Sequence, residues 1–125
     1  MTDVYYVIAS NPHTPAKVLA RLANAEDHTI RRQVAANPHT PDSILEDLSN
    51  DSHWDVRLNV ALNPVVSYSV VERLAQDEQA SVRFGVAENV DTPDNVLQAL
   101  LDDENAYVAC KAKETLTRKP MRCRN

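Results

Sequence analysis

Four histidines, His13, His28, His39 and His53, and two cysteines, Cys110 and Cys123, are the side chains with which this chain could hold a metal or attack a substrate. His13 and His39 stand 26 residues apart in matching phrases, "NPHTP" at 11–15 and again at 37–41. If those phrases are corners of neighbouring units, the packed helices behind them lie ~8–10 Å apart. Zinc ligands sit about 2.0–2.1 Å from the ion, so a shared ion would need both rings to lean together and further ligands that the phrase does not supply. The cysteines fit no metal spacing and no disulfide framework, which points to a reduced, cytoplasmic setting. Gly85 is the only glycine, so no glycine-rich phosphate loop exists, and no Ser/His/Asp or Cys/His set can be placed by spacing. The expectation is no catalytic residue, no cofactor and no metal.

Arg31, Arg57 and Arg83 form a column that could track a phosphate backbone. The charge balance opposes that use. Thirteen basic groups face eighteen acidic ones, for a net charge of -5. Residues 111–125 carry six basic groups against Glu114 alone, so the body before them is more acidic still. Nucleic-acid affinity rests on neutralising phosphates, and the column is better used in an Asp–Arg ladder with Asp51, Asp77 and Asp103, broken at Ala109. The basic stretch 118–125 reads as a flexible C-terminal tail, with weak nucleic-acid binding through it as an alternative role. The N-terminus lacks a basic stretch followed by an apolar run, and no segment approaches the ~20 apolar residues that span a bilayer.

The elements that would position these groups repeat. Asn11, Asn37, Asn63 and Asn89 are each 26 residues apart. Ile8, Val34, Val60 and Val86 keep the same frame, as do Ile30, Val56, Val82 and Val108, and Leu22, Leu48, Leu74 and Leu100. A constant period of this size marks stacked helical units. Within a unit, Val56, Val60 and Ala61 share one helical face, and so do Ile44, Leu45 and Leu48. A lone helix pair cannot bury such faces, whereas stacking in register buries them. The pattern predicts an all-α solenoid of about four and a half two-helix repeats over 1–117. Helices are expected near 2–10, 14–23, 28–36, 40–49, 54–62, 67–75, 80–88, 92–101 and 106–117. At the Asn-Pro corner, Asn is expected in the left-handed conformation that ends a helix. Thr14, Thr40 and Thr92 are expected as N-caps, with Pro15, Pro41 and Pro93 at the first helical position. The acidic corners "NAED", "NDSH", "QDEQ" and "DDEN" suit the positive end of the following helix.

The phrases "IRRQVAANPHTP" at 30–41, "LEDLSND" at 45–51, "VRLNVALNP" at 56–64 and "VRFGVAEN" at 82–89 resemble the leucine-rich repeat variant family, relatives of the HEAT-like α-solenoids. The resemblance covers roughly Val4 to Ala112. It implies a right-handed superhelix in which one helix of each pair can be short and 3₁₀-like; the spacing here reads as α in both. Some members carry an iron–sulfur cluster on an N-terminal cysteine-rich segment, but no cysteine precedes Cys110 in this chain. Some HEAT-like solenoids act on DNA bases or bilins, which keeps an enzyme or enzyme accessory as an alternative.

The pattern breaks at the third corner, "NPVVSYS", where Val65, Val66 and Tyr68 replace the His, Thr and Asp of the second, and Ser67 stands in as the cap. In the helix before it, Trp54, Leu58 and Leu62 form a second apolar stripe, more than one core face requires. Trp54, Leu58, Leu62, Val65 and Tyr68 are therefore the candidate patch for a protein partner. The competing expectation is that Trp54 packs on Phe84 as core. Val4, Tyr5 and Tyr6 at the N-terminal end could stack on another copy of the chain. The function expected is a non-catalytic repeat scaffold for protein–protein interaction.

Overall fold

The computed structural model describes residues 2–118. Cys123 and, apart from Arg118, the basic tail lie outside the described residues. Within them are nine α-helices and no strand. These are α1 (Thr2–Ser10), α2 (Ala16–Leu22), α3 (His28–Ala36), α4 (Asp42–Leu48), α5 (Trp54–Leu62), α6 (Tyr68–Leu74), α7 (Ala80–Glu88), α8 (Asp94–Leu100) and α9 (Ala106–Arg118). The odd-numbered helices pack side by side in one row, α1 on α3, α3 on α5, α5 on α7 and α7 on α9, and each even-numbered helix leans on the row. Both helices of every pair are α.

The core runs along the row. Val34, Val60 and Val86 are fully sealed from solvent, as are Val56 and Val82 one turn earlier and Ala35, Ala61 and Ala87 beside them. Leu19, Leu45, Leu74 and Leu97 close the spine from the second helices. Each such side chain contributes about 1.5–3 kcal/mol on leaving water. No unit can realise that gain without its neighbour, which is why the columns must keep step.

Three details of the corners differ from the sequence expectation. The second helices begin one or two residues later than expected, because Pro15, Pro41 and Pro93 are the capping residues themselves. Their extended backbones, φ near -60° and ψ near 150°, place their carbonyls to accept the first helical bonds. The threonines are not N-caps. Each hydroxyl turns back and donates to the last turn of the preceding helix, Thr14 to the Ile8 carbonyl, Thr40 to Val34 (2.6 Å) and Thr92 to Val86 (2.8 Å). A helix C-terminus leaves carbonyls unsatisfied, and a buried threonine fills one. Ser67 likewise makes no capping bond through its side chain.

The asparagines are not left-handed either. Asn37, Asn63 and Asn89 have φ of -72°, -71° and -76° with extended ψ. The side chain, not a positive φ, closes the turn. Its Oδ1 accepts the backbone N–H two residues on, from His13, His39, Val65 and Asp91 in the four corners. Its Nδ2 then reaches into the preceding unit. Asn37 donates to the carbonyls of Ala9 and Asn11, Asn63 to those of Ala35 and Asn37, and Asn89 to that of Ala61. At the next position in the frame, the Thr115 hydroxyl takes the Ala87 carbonyl at 2.6 Å. A ladder of polar side chains thus stitches the C-terminal ends of the row.

Candidate functional site

The opposite ends of the row helices are held by arginine. Each guanidinium forks onto the aspartate of the following corner: Arg31 on Asp51 at 2.7 and 3.1 Å, Arg57 on Asp77 at 2.8 and 3.2 Å, Arg83 on Asp103 at 2.8 and 3.2 Å. The same arginines donate backward to a main-chain carbonyl six residues earlier, Ala25, Asp51 and Asp77 in turn. Asp51 therefore takes Arg31 on its carboxylate and Arg57 on its carbonyl, so the ladder is continuous from Arg31 to Asp103. Position 109 is alanine, and no arginine continues it. Burial on its own pushes the Asp51 and Asp103 carboxyls up. The bonds from Arg31 and Arg83, and from the backbone N–H groups of His53 and Asn105, outweigh it and hold both below the ordinary 3.8. The arginine column is thus committed to the fold.

The surface left uncommitted lies across the row. Trp54, Leu58 and Leu62 project along one stripe of α5, with Ala80 and Phe84 of α7 and Tyr107 and Val108 of α9 beyond them. Together they line an open, mainly apolar groove of about 490 Å³ with Glu88 and Asn105 at its edge. Trp54 is 42% exposed, so it is not core. Phe84 is half-buried and forms the wall opposite, with the Lys111 ammonium 5.9 Å from its ring centre. The chain's single glycine shapes this wall. A Cβ at Gly85 would collide with the Leu58 Cδ1 methyl, so glycine lets Leu58 lie flat against α7.

The five patch residues expected from sequence do not share one surface. Trp54, Leu58 and Leu62 meet in the groove. Tyr68 instead lines a separate, smaller depression of about 210 Å³ with Pro64, Val66 and Pro93, where its hydroxyl accepts from Asn95 Nδ2 at 2.6 Å. Val65 is exposed in the corner and lines neither. Sequence reading missed Tyr107. It falls one position off the Trp54 column, and only the turn of α9 brings it to the groove.

A polar cluster sits at the N-terminal ends of α3 and α5. The His28 and His53 rings stack with centroids 3.6 Å apart and planes within 5°. Both Nδ1 atoms face the Asp55 carboxylate, His28 2.9 Å from Oδ2 and His53 2.9 Å from Oδ1, and Arg32 Nη1 stands 3.6 Å from Oδ2. These residues are offset by one on either side of the period, at 28, 53 and 55, so they fall in no common column of the repeat.

Residues 6–52 match the Leucine Rich Repeat Variant domain family. The match spans the first two units, and the same helical pairs and both ladders continue beyond it. No curated protein and no solved structure matches the chain. Among the described residues no helix is long and apolar enough to cross a membrane.

Proposed function

We propose that this helical repeat chain is a non-catalytic scaffold that holds a short apolar segment of a partner protein in the groove over α5, α7 and α9. The observation that carries this reading is the exposure of Trp54 beside Leu62 on a groove walled by Phe84 and Tyr107. Aromatic anchors dominate interface energies, and contiguous apolar surface of this kind marks contact sites on soluble proteins. Glu88 at the edge and the acidic body select a segment with apolar residues flanked by Lys or Arg. Trp54 is the chain's only tryptophan, so its emission reports the groove directly. Displayed peptides enriched on the wild-type protein should carry that pattern, shift Trp54 emission to the blue, and lose at least ~10-fold in affinity on Phe84→Ser, the loss expected of a hot spot. Tyr68→Ala should leave binding unchanged. Peptides that bind Phe84→Ser as tightly as wild type would sink the proposal.

A second reading, self-association through α1, is favoured by the exposure of Val4, Tyr5 and Val7 on its outer face. Sedimentation velocity of wild type against Tyr5→Ser tests it. A concentration-independent monomer for both would end it.

A further inference from the structure

We infer that His28, His53 and Asp55 form a binding site for a divalent transition metal of the zinc class, clamping α3 to α5. Three potential ligand residues from two helix starts place ligand atoms within 4.8 Å of one another. The carboxylate bridges the rings, with each Nδ1 2.9 Å from one of its oxygens. Two ligands about 2.0–2.1 Å from one ion, at an angle between a right angle and the tetrahedral value, lie about 2.8–3.4 Å apart. The nitrogen–oxygen edges of this cluster already have that length.

Hydrogen bonding does not account for the arrangement. His28 Nδ1 bonds Asp55 Oδ2. His53 Nδ1 and Asp55 Oδ1, though equally close, are misaligned for a bond, and both atoms are buried with no hydrogen-bond partner. A buried, unsatisfied nitrogen and oxygen cost about 1–3 kcal/mol each, and an ion that accepts both lone pairs removes that cost. Carboxylate oxygen serves either class of ion, but imidazole nitrogen is a ligand of zinc-class ions rather than of magnesium or calcium, so the two rings set the preference.

Two features set what binding must do. Parallel rings cannot both aim a lone pair at one point, so the ion opens the stack by rotation about the Cβ–Cγ bonds. The His28 and His53 side chains are partly exposed, at 37% and 44%, which leaves room for that motion and for water on the remaining coordination positions. Arg32 stands on the same carboxylate and repels a cation. Its side chain is one-third exposed and can swing into solvent.

The test uses metal-stripped, untagged protein in a Cys110→Ser/Cys123→Ser background, so that thiols do not compete. Zinc is titrated against a chromophoric chelator, and cobalt absorption reads the ligand geometry. One equivalent of zinc should bind and raise Tm. His28→Gln and His53→Gln, both at partly exposed positions that leave the fold intact, should each weaken binding by at least the ~10–100-fold that loss of even an outer-shell partner costs. Arg32→Gln should tighten it. His13→Gln/His39→Gln should change nothing, and magnesium should not compete. Zinc binding that survives His53→Gln undiminished, or that is absent from the parent, overturns the assignment.

Discussion

Asn63 reaches back one full unit, its side-chain nitrogen donating to the carbonyls of Ala35 at 2.8 Å and Asn37 at 3.0 Å. Its Oδ1 meanwhile accepts the Val65 N–H at 2.9 Å. One buried amide thus ends α5, turns the chain and closes the end of α3. Donor and acceptor are both needed, and asparagine supplies them on the two atoms of one carboxamide.

That division of labour separates three substitutions. Asn63→Ala strips two buried carbonyls of their donor and should cost about 1–3 kcal/mol in urea denaturation. Asn63→Asp keeps the turn but sets a carboxylate oxygen against those carbonyls, so it should cost more than Asn63→Ala. Asn11 is exposed, and among the described residues its side chain makes only the turn bond, accepting from the His13 N–H. Asn11→Ala should stay within about 0.5 kcal/mol of wild type. Equal costs at 11 and 63 would show that the reach into the preceding unit contributes nothing.

The helices and the spine were legible because burial forces the same residue type into the same place in every unit. Val34, Val60 and Val86 announce themselves by recurrence. The roles of Asn37 and Thr40 were not. A short polar side chain at those positions suits a left-handed turn or an N-cap as well as it suits a bond to a neighbouring carbonyl, and only the distances between units decide. The Arg–Asp ladder was legible as a column, but its pairing was not, since Arg57 serves the Asp51 carbonyl and the Asp77 carboxylate at once. Three of the five candidate patch residues could be placed together from the sequence. Trp54, Leu58 and Leu62 share a helix and must share a face, whereas Val65 and Tyr68 lie past a corner whose direction the sequence does not carry. The His28, His53 and Asp55 cluster breaks the frame, so the repeat hides it.

The ladder predicts an acid limb. Asp51 and Asp103 have carboxyls depressed below 3.8 in the folded chain. A depressed value means the folded state holds the charged form more strongly than the unfolded chain does. The stability it contributes is complete above 3.8 and is lost as pH falls through the lower folded value. Denaturation free energy should therefore drop below about pH 4 and continue to fall toward pH 2. Asp103→Asn removes one charged partner of Arg83 and should cost about 1.5–3 kcal/mol at neutral pH. It should also make the acid limb shallower, while Glu104→Gln, a peripheral and exposed neighbour 4.0 Å from Arg83, should leave it as it is. An acid limb of unchanged slope in Asp103→Asn would remove the ladder from the account of acid stability.

Gly85 separates the groove from the core. Replacing a helix-interior glycine with alanine gains about 0.8–1.0 kcal/mol of helix propensity. Here the new Cβ displaces the Leu58 Cδ1 methyl, the free end of a half-exposed side chain, while Ala61 Cβ remains at ordinary contact, 3.6 Å. Leu58 lines the open groove and can yield into it, so the two effects should nearly cancel and stability should stay within about 1 kcal/mol of wild type. The groove should narrow, and Trp54, one turn from Leu58 on the same stripe, should change its emission maximum in the folded protein. Gly85→Val adds bulk that the methyl cannot evade and should destabilise by the ~1–3 kcal/mol typical of overpacking. If Gly85→Ala alone lost that much, Leu58 would be a fixed part of the core rather than a movable wall. An unchanged Trp54 spectrum would place Gly85 outside the shaping of the groove.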